Sequence, residues 1–388
     1  MLAAMTWLLL TLTPARALDC PAGTSHAGAP PPVGKAEWCE VIGADGKPLR
    51  QGPAVEYHDN GKTAASGTYE GGRKSGAWET YYPDGTRKAE GTYRVGQRQG
   101  EWTFWQPDGQ VQRQGSYLDG KLDGPWVENH DNGRPWYEGV YLMGKAHGHW
   151  VYYDEDGHEE TEGEFLNGAK YGTWTQYYPS GNVKATGRYT AGLQDGTWTW
   201  FYDNGQKQRQ GSFRSGRKQG TWTSWSESGQ LTNTSTWVDN ERHGLEKALY
   251  ASGAKKSEGA WKAGARDGPW VYYYPSGKRE RLETWVDGRK TGHWTAWFDN
   301  GNKRYDGDLE NGHETGEWAH WFESGKPKSQ GRFVQGKPEG EWTTWYASGQ
   351  VATRGTYAAG RPVGTWTTWN EDGSVRAVEQ HGDAPKSP

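Results

Sequence analysis

A tryptophan recurs every 24 residues along most of this chain. Twelve tryptophans fall on one 24-residue grid, and Glu246 occupies its single vacant position. The grid tryptophans are Trp78, Trp102, Trp126, Trp150, Trp174, Trp198, Trp222, Trp270, Trp294, Trp318, Trp342 and Trp366. One further step back, to Ala54, opens the first of fourteen units. A strict period of this length indicates a repeat protein whose units bury their apolar residues against one another.

Glycine and aromatic residues occupy constant positions within each unit. Every unit has glycine two residues before and seven residues after the grid position. The central Pro-Asp-Gly at 83–85 is turn chemistry, and the short aromatic run at 199–202 favours a strand. The Gly-x-x-x-Gly segment at 216–220 predicts the second turn of the unit. Each unit is therefore predicted to be a β-hairpin that turns directly into the next one.

These patterns predict an all-β fold. We expect an elongated repeat protein in which tandem 24-residue β-hairpins form one continuous, twisted antiparallel meander sheet. The ring fifteen residues after the grid position, such as Tyr117, lies two residues past the strand glycine Gly115 and so shares its face. Such rings are expected to cover the glycines and to stack from unit to unit. About 28 strands at about 4.8 Å each would extend about 130 Å.

Charge and composition exclude several classes of protein. The 44 Lys and Arg residues oppose 48 Asp and Glu residues, and the net charge of −4 argues against a nucleic-acid binder. The 25 Trp and 22 Tyr residues exclude a disordered chain, because disordered segments are poor in aromatic residues. The 58 glycines disfavour a helical bundle or a doubly wound enzyme.

The first seventeen residues predict a signal peptide. The apolar run at 2–12 is too short to span a bilayer, and Ala15-Arg16-Ala17 fits a small-x-small cleavage site. We therefore expect export to the periplasm, the cell surface or the extracellular space. The alternative is a lipoprotein acylated at Cys20, although the preceding Asp19 fits that signal poorly.

The domain organisation follows from the signal and the repeats. Residues 1–17 are the predicted signal peptide, and residues 18–51 form an N-terminal cap. In an exported chain, Cys20 and Cys39 are expected to form a disulfide within this cap. Fourteen repeats then occupy residues 52–375. Residues 376–388 are predicted to be a polar C-terminal tail.

The repeat resembles a known family. The segment 93–102 reads Tyr-x-x-Gly-x-x-x-Gly-x-Trp, and Asp108-Gly109 and Gly115-x-Tyr117 follow it. This pattern is similar to the MORN repeat, and in particular to the bacterial variant known as the YwqK-type antitoxin repeat. It departs from the eukaryotic form, which has a 23-residue period and commonly glycine in place of the tryptophan. The resemblance implies an extended hairpin sheet, a binding or scaffolding role and no catalytic residues.

No catalytic or metal-binding constellation stands out. The repeats and the cap fill nearly all of the mature chain, which leaves no room for an appended enzymatic domain. His147 and His149 flank Gly148 in a predicted turn, and no third metal ligand accompanies them. We expect a protein that is not an enzyme and that needs no metal and no cofactor.

Two sets of side chains are candidate binding surfaces. Seven units carry a basic residue nineteen positions after the grid position, and this basic ladder either faces an anionic surface or protects the sheet edge from aggregation. It comprises Arg73, Lys121, Lys145, Arg217, Arg289, Lys337 and Arg361. The second set lies two positions after the grid tryptophan and suits contacts with sugars or proteins. It comprises Phe104, Tyr152, Trp200 and Tyr272.

The sequence thus predicts a non-enzymatic, exported repeat scaffold that binds a protein or a cell-envelope polymer, either a polysaccharide or a lipid surface. The alternatives are an antitoxin or immunity-type protein that neutralises a toxin by direct binding, and a carbohydrate-binding or carbohydrate-active surface protein. A soft point is expected between Ser235 and Leu249, where the constant residues are lost at four positions, because the burial of one tryptophan is lost with them. The alternative is that this departure from the repeat marks a partner site.

Overall fold

The computed structural model describes residues 18–382, and all of its regular structure is β-strand. The chain divides after Trp174 into two compact parts, called here the N-terminal half and the C-terminal half. Within residues 18–382, no helix suited to crossing a bilayer is found. The predicted signal peptide at 1–17 lies outside the described residues.

The N-terminal half is a succession of short strands paired in chain order. Its strands are β1 (Ser25–Ala29), β2 (Ala36–Ile42), β3 (Pro48–Tyr57), β4 (Thr63–Glu70), β5 (Arg73–Tyr81), β6 (Arg87–Arg94), β7 (Gln97–Trp105), β8 (Val111–Leu118), β9 (Lys121–Asn129), β10 (Pro135–Leu142), β11 (Lys145–Tyr153) and β12 (Glu159–Leu166). Each strand from β1 to β12 pairs antiparallel with the next one. The division between the halves falls within β13 (Ala169–Tyr177).

The C-terminal half repeats this arrangement. Its strands are β14 (Val183–Thr190), β15 (Leu193–Phe201), β16 (Lys207–Arg214), β17 (Arg217–Trp225), β18 (Leu231–Val238), β19 (Glu241–Leu249), β20 (Lys255–Lys262), β21 (Ala265–Tyr273), β22 (Arg279–Val286), β23 (Arg289–Lys290), β24 (Gly292–Trp297), β25 (Lys303–Glu310), β26 (His313–Trp321), β27 (Pro327–Val334), β28 (Lys337–Trp345), β29 (Val351–Ala358), β30 (Arg361–Trp369) and β31 (Val375–His381). Successive strands pair antiparallel, and β22 pairs with both β23 and β24. The predicted all-β meander of tandem hairpins is confirmed.

The paired strands extend beyond the predicted repeats at both ends of the chain. At the N-terminal end, the strands β1 and β2 of the cap continue the pairing of the repeats through β3. At the C-terminal end, β31 occupies residues that were predicted to be a tail. It pairs with β30, with Trp366 opposite Glu379, and is the return strand of the last unit. The rest of the predicted tail, residues 383–388, lies outside the described residues.

Eleven of the twelve grid tryptophans pack on the backbone of a glycine in the preceding unit, and Trp294 is the exception. Trp102 lies opposite Gly91, and a Cβ added to Gly91 would lie 2.2 Å from the Cδ2 atom of Trp102. The Trp102 Nε1–H donates to the carbonyl of Thr92 at 3.1 Å. The equivalent bond, to the carbonyl ten residues earlier, is made by Trp78, Trp150, Trp174, Trp198, Trp270, Trp318, Trp342 and Trp366. This contact explains why glycine is needed at that strand position.

Only the first glycine of the Gly-x-x-x-Gly segment lies in a turn and the other four residues belong to a strand, which corrects the sequence interpretation. In the segment 216–220, the turn consists of Ser215 and Gly216, with φ of 48° and 77°, as a two-residue hairpin turn requires. Gly220 instead lies inside β17, with a φ of 65°, where the pairing with β16 shifts register. It is a β-bulge glycine. The glycine before every tryptophan therefore bends the strand and does not close the turn.

The predicted disulfide is present in the cap. Cys20 and Cys39 are joined, with their Cα atoms 5.5 Å apart, and Cys39 is completely buried. Replacing both cysteines with serine is expected to destabilise the cap by about 3 kcal/mol, because the bridge closes a loop of about twenty residues. Hydrogen exchange in β1 and β2 measures this effect.

Peptide mass mapping of the protein isolated from cells tests the same bridge. We expect Cys20 linked to Cys39 in a mature chain that starts at or near Leu18. A diacylglyceryl-modified Cys20 would contradict this prediction and would make the protein a lipoprotein.

Candidate functional site

The grid tryptophans form the core of one sheet face, called here the tryptophan face. Ten of the twelve are buried, whereas Trp342 and Trp366 are partly exposed. Trp78, Trp102, Trp126, Trp150 and Trp342 each lie edge-on between two other rings. The centroid of Trp102 is 5.0 Å from that of Tyr93 and 6.3 Å from that of Tyr117, at interplanar angles of 84° and 76°. The rings therefore alternate along the face, whereas the sequence predicted a stack of identical rings.

Cations cover this aromatic layer from the same face. The Lys74 Nζ atom lies 3.8 Å from the ring centroid of Trp78, and the Arg98 guanidinium lies 4.6 Å from that of Trp102. Similar contacts join Lys170 to Trp174, Lys218 to Trp222, Arg266 to Trp270 and Lys290 to Trp294. Burial lowers the pKa of the Lys74, Lys170 and Lys218 ammonium groups. These cations belong to the packing of the face.

The four predicted contact aromatics lie within this layer. Phe104 is buried and stacks on Trp102, with centroids 5.8 Å apart. Tyr152, Trp200 and Tyr272 are half-buried. Arg209 covers Trp200 at 4.2 Å, and Arg281 covers Tyr272 at 3.7 Å. A ligand would have to displace these guanidinium groups, so a contact role for the four residues stays a prediction.

The basic ladder is exposed along one edge of each half. Each member is the first residue of a strand, directly after a two-residue turn, and all seven side chains are exposed. Arg73, Lys121 and Lys145 lie in the N-terminal half, and the other four lie in the C-terminal half. Both interpretations of the basic ladder, contact with an anionic surface and protection of the sheet edge, require exposed side chains.

An apolar stripe beside the ladder was missed by sequence reasoning. Leu118, Leu142 and Leu166 are 38%, 46% and 45% exposed, and Met143, in the turn after Leu142, is 51% exposed. We call these four residues the leucine edge. The three leucines occupy the same position in consecutive units, sixteen residues after the tryptophan, where Arg94 and Thr190 stand in the flanking units. Other units carry Val238, Val286, Val334 or Ala358 there, so the signal available in the sequence was a run of three leucines in consecutive units.

The histidine pair lies on a strand, which corrects its predicted place in a turn. His147 and His149 belong to β11, on either side of the bulge glycine Gly148. The His149 Nε2 atom lies 3.4 Å from a carboxylate oxygen of Glu162. Across residues 18–382, no three His, Cys, Asp or Glu side chains come together as a metal site would require.

The vacant grid position holds a buried carboxylate. Glu246 is 12% exposed at its side chain. Its Oε2 atom accepts from the Trp261 Nε1–H at 2.6 Å and from the Arg242 guanidinium at 2.9 Å, and its Oε1 atom accepts from the Asn233 amide at 3.2 Å. The strands β18 and β19 are uninterrupted here. Polar contacts therefore replace the missing ring, whereas the predicted soft point assumed that nothing replaced it.

Comparisons with known proteins agree with the repeat. The family described as the MORN repeat variant matches residues 74–94, 98–119, 170–191, 194–215, 266–287 and 338–359. No curated protein matches this chain significantly.

Solved structures give distant matches. A chain of the crystal structure of TcdB2-TccC3-TEV is 11% identical, with a TM-score of 0.17, over 90% of this chain and 20% of that one. A chain of TcdB2-TccC3 without hypervariable C-terminal region is 10% identical, with a TM-score of 0.16, over the same shares. This chain thus spans about a fifth of the length of these matches.

Proposed function

We propose that this chain, a MORN-variant repeat protein, is a non-enzymatic, exported scaffold that binds a protein or a cell-envelope polymer. The observation that supports the proposal is the separation of constant from variable residues. The constant tryptophans, glycines and rings pack against one another in the core of the tryptophan face. The residues that change between units, such as Leu142 and its counterpart Thr190, are exposed at the edge. A constant frame with a variable surface is typical of repeat scaffolds.

The leucine edge supports a protein as the partner. Contiguous exposed apolar residues mark interaction surfaces, and polar rims commonly surround them. Here Lys121 and Lys145 follow the turns next to Leu118 and Leu142, and both lysines are exposed. A partner with apolar side chains and flanking carboxylates would fit this edge.

The Cys20–Cys39 disulfide supports the proposed export. Disulfides form and persist in oxidising compartments such as the periplasm and the cell exterior. The bridge lies at the start of the predicted mature chain, where it would form after the signal peptide is removed.

Capture from an envelope extract, alongside glycan and lipid arrays, tests the scaffold. We expect the mature chain to retain a specific protein, and Leu142→Glu to lose most of it, because a carboxylate interrupts the apolar stripe. Glu70 and Glu310 occupy the equivalent position in other units, so the fold tolerates glutamate there. Thr190→Glu is the matched control and should retain the partner.

The same experiment distinguishes the scaffold from the alternative functions. Capture of a toxin whose activity the chain blocks would favour the antitoxin. Turnover of an envelope polysaccharide would contradict the non-enzymatic scaffold. The proposal would also be contradicted if no extract and no array showed specific binding.

A further inference from the structure

Pairs of an aromatic ring and a cation recur along the edge that carries the first turn of each unit. The ring stands four residues after the grid position, and the cation stands ten residues after it. Lys88 lies over Tyr82 with its Nζ atom 5.4 Å from the ring centroid, and Lys184 lies 5.6 Å from that of Tyr178. The same pairing joins Lys256 to Tyr250, Arg304 to Phe298 and Lys328 to Phe322. Five units thus supply both partners of a cation–π contact.

The unit of Trp126 departs from this pattern. Its ring position holds His130, and its cation position holds Trp136. The two rings lie against each other, with centroids 6.1 Å apart and an interplanar angle of 44°. His130 is held at the edge by a 2.9 Å hydrogen bond between its Nε2 atom and the carbonyl of Tyr153. This unit therefore offers two aromatic rings and supplies no cation for them.

Trp136 is accessible and borders an open cavity. The residue is 46% exposed, and it lines a cavity of about 600 Å³ together with His130. Three acidic residues, Glu128, Asp131 and Glu155, also line this cavity. Carboxyl groups beside an exposed indole favour a positively charged guest, because both the charges and the ring face attract cations.

The arginine of this unit is engaged elsewhere. The Arg134 guanidinium donates to the carbonyls of Glu155 and Asp156, in the turn of the next unit. It also lies 3.9 Å from the Asp156 carboxylate. Arg134 thus fastens two neighbouring turns and leaves the indole of Trp136 to an external group.

We propose that Trp136, His130 and the surrounding carboxylates bind a lysine or arginine side chain of a protein partner. This inference rests on the proposed scaffold function and specifies the chemistry of one contact. The partner's cation takes the place that Lys88 and its equivalents take in the five complete pairs. The carboxylates select a basic segment over a neutral or acidic one.

A defined basic peptide tests this site on the purified mature chain. Acetyl-tetralysine amide should bind in calorimetric titration, and its affinity should fall as salt is raised, since exposed charges are screened. In protein carrying ¹⁵N-labelled tryptophan, the peptide should shift the indole signal that is missing from a Trp136→Gln variant. That variant should bind about tenfold more weakly, the scale of a partly desolvated cation–π contact. Gln112 occupies the same position in the preceding unit, so the change is compatible with the fold.

A second variant fills the site with the ring and the cation that five other units carry. His130→Tyr combined with Trp136→Lys recreates the pairing of Tyr82 with Lys88 and should abolish peptide binding, while the Tm stays unchanged. Equal affinity of the wild type and both variants for tetralysine would overturn the proposal. Tighter binding of the neutral trimer of N-acetylglucosamine or of an amine-bearing chitosan oligomer than of tetralysine would also overturn it. If the envelope partner is captured equally by the double variant, the Trp136 site is wrong while the scaffold function stands.

Discussion

Gly91→Val is expected to destabilise the repeats around β6 and β7 by about 3 kcal/mol or more. The new Cβ would lie 2.2 Å from the Cδ2 atom of Trp102, so the ring has to leave its position. Overpacking of this kind costs about 1–3 kcal/mol. The Trp102 Nε1–H also loses the carbonyl of Thr92, and a buried donor without a partner costs about 1–3 kcal/mol more.

Urea denaturation and hydrogen exchange of β6 and β7 measure this loss. Ser235→Val is the matched control and should cost only about 1 kcal/mol, from the lost hydrogen bond between the Trp237 Nε1–H and the Ser235 hydroxyl, because that position already carries a side chain and faces Glu246 instead of a tryptophan. Adding Trp102→Ala to Gly91→Val should cost little more, since the first change has already displaced the ring. A Gly91→Val protein as stable as the wild type would show that the glycine contact does not determine the packing.

A side chain occupies the strand position eleven residues before Trp294, where glycine is usual before a grid tryptophan. Glu283 stands there in place of glycine and is buried, with Arg281 and Trp285 bonded to its carboxylate. The Nε1–H of Trp294 has no hydrogen-bond partner among the described residues, and neither has that of Trp222, which packs on Gly211. The strand after the turn is split there into β23 and β24. In this unit the substitution thus coincides with a local break in the strand.

Ser235→Gly and Glu246→Trp are expected to destabilise the chain singly and to compensate for each other together. Glu246→Trp alone should cost about 3 kcal/mol, because the ring meets the Ser235 side chain and Arg242 loses its carboxylate. Ser235→Gly alone should cost about 1 kcal/mol, since the Trp237 Nε1–H loses the Ser235 hydroxyl. The pair recreates the glycine and tryptophan of the regular units, and we expect a coupling of about 2 kcal/mol between them.

A double-mutant cycle of unfolding free energies measures this coupling. Limited proteolysis of the same four proteins locates the effect: Glu246→Trp alone should open residues 235–249 to cleavage, and the double variant should close them again. Additive effects of the two substitutions would contradict the pairing. A wild-type chain cut first within 235–249 would support the soft point that the sequence predicts and would show that the Glu246 contacts compensate only in part.

The sequence alone determined the repeat, the hairpins and the residues of the core. The 24-residue spacing of tryptophan and glycine is enough for this, because turn chemistry and strand alternation are local properties. Glycine seven residues after the tryptophan closes the first turn, and the two-residue alternation then puts the ring of Tyr93 on the face of Trp102. The disulfide followed from the number of cysteines and their place after the predicted signal peptide.

Only the tertiary structure decided which glycines bend strands, what replaces the missing tryptophan and which rings stay accessible. Gly220 is a bulge because the neighbouring strand shifts register beside it. Glu246 is stable because Asn233 and Trp261 come to it from the two strands on either side. Trp136 is exposed because it stands at the edge position that carries the cation of a cation–π pair in five other units. The physical reason is the same in each case. These features depend on contacts between different strands, and strand pairing sets the distances of those contacts. The spacing of residues along the sequence does not specify these distances.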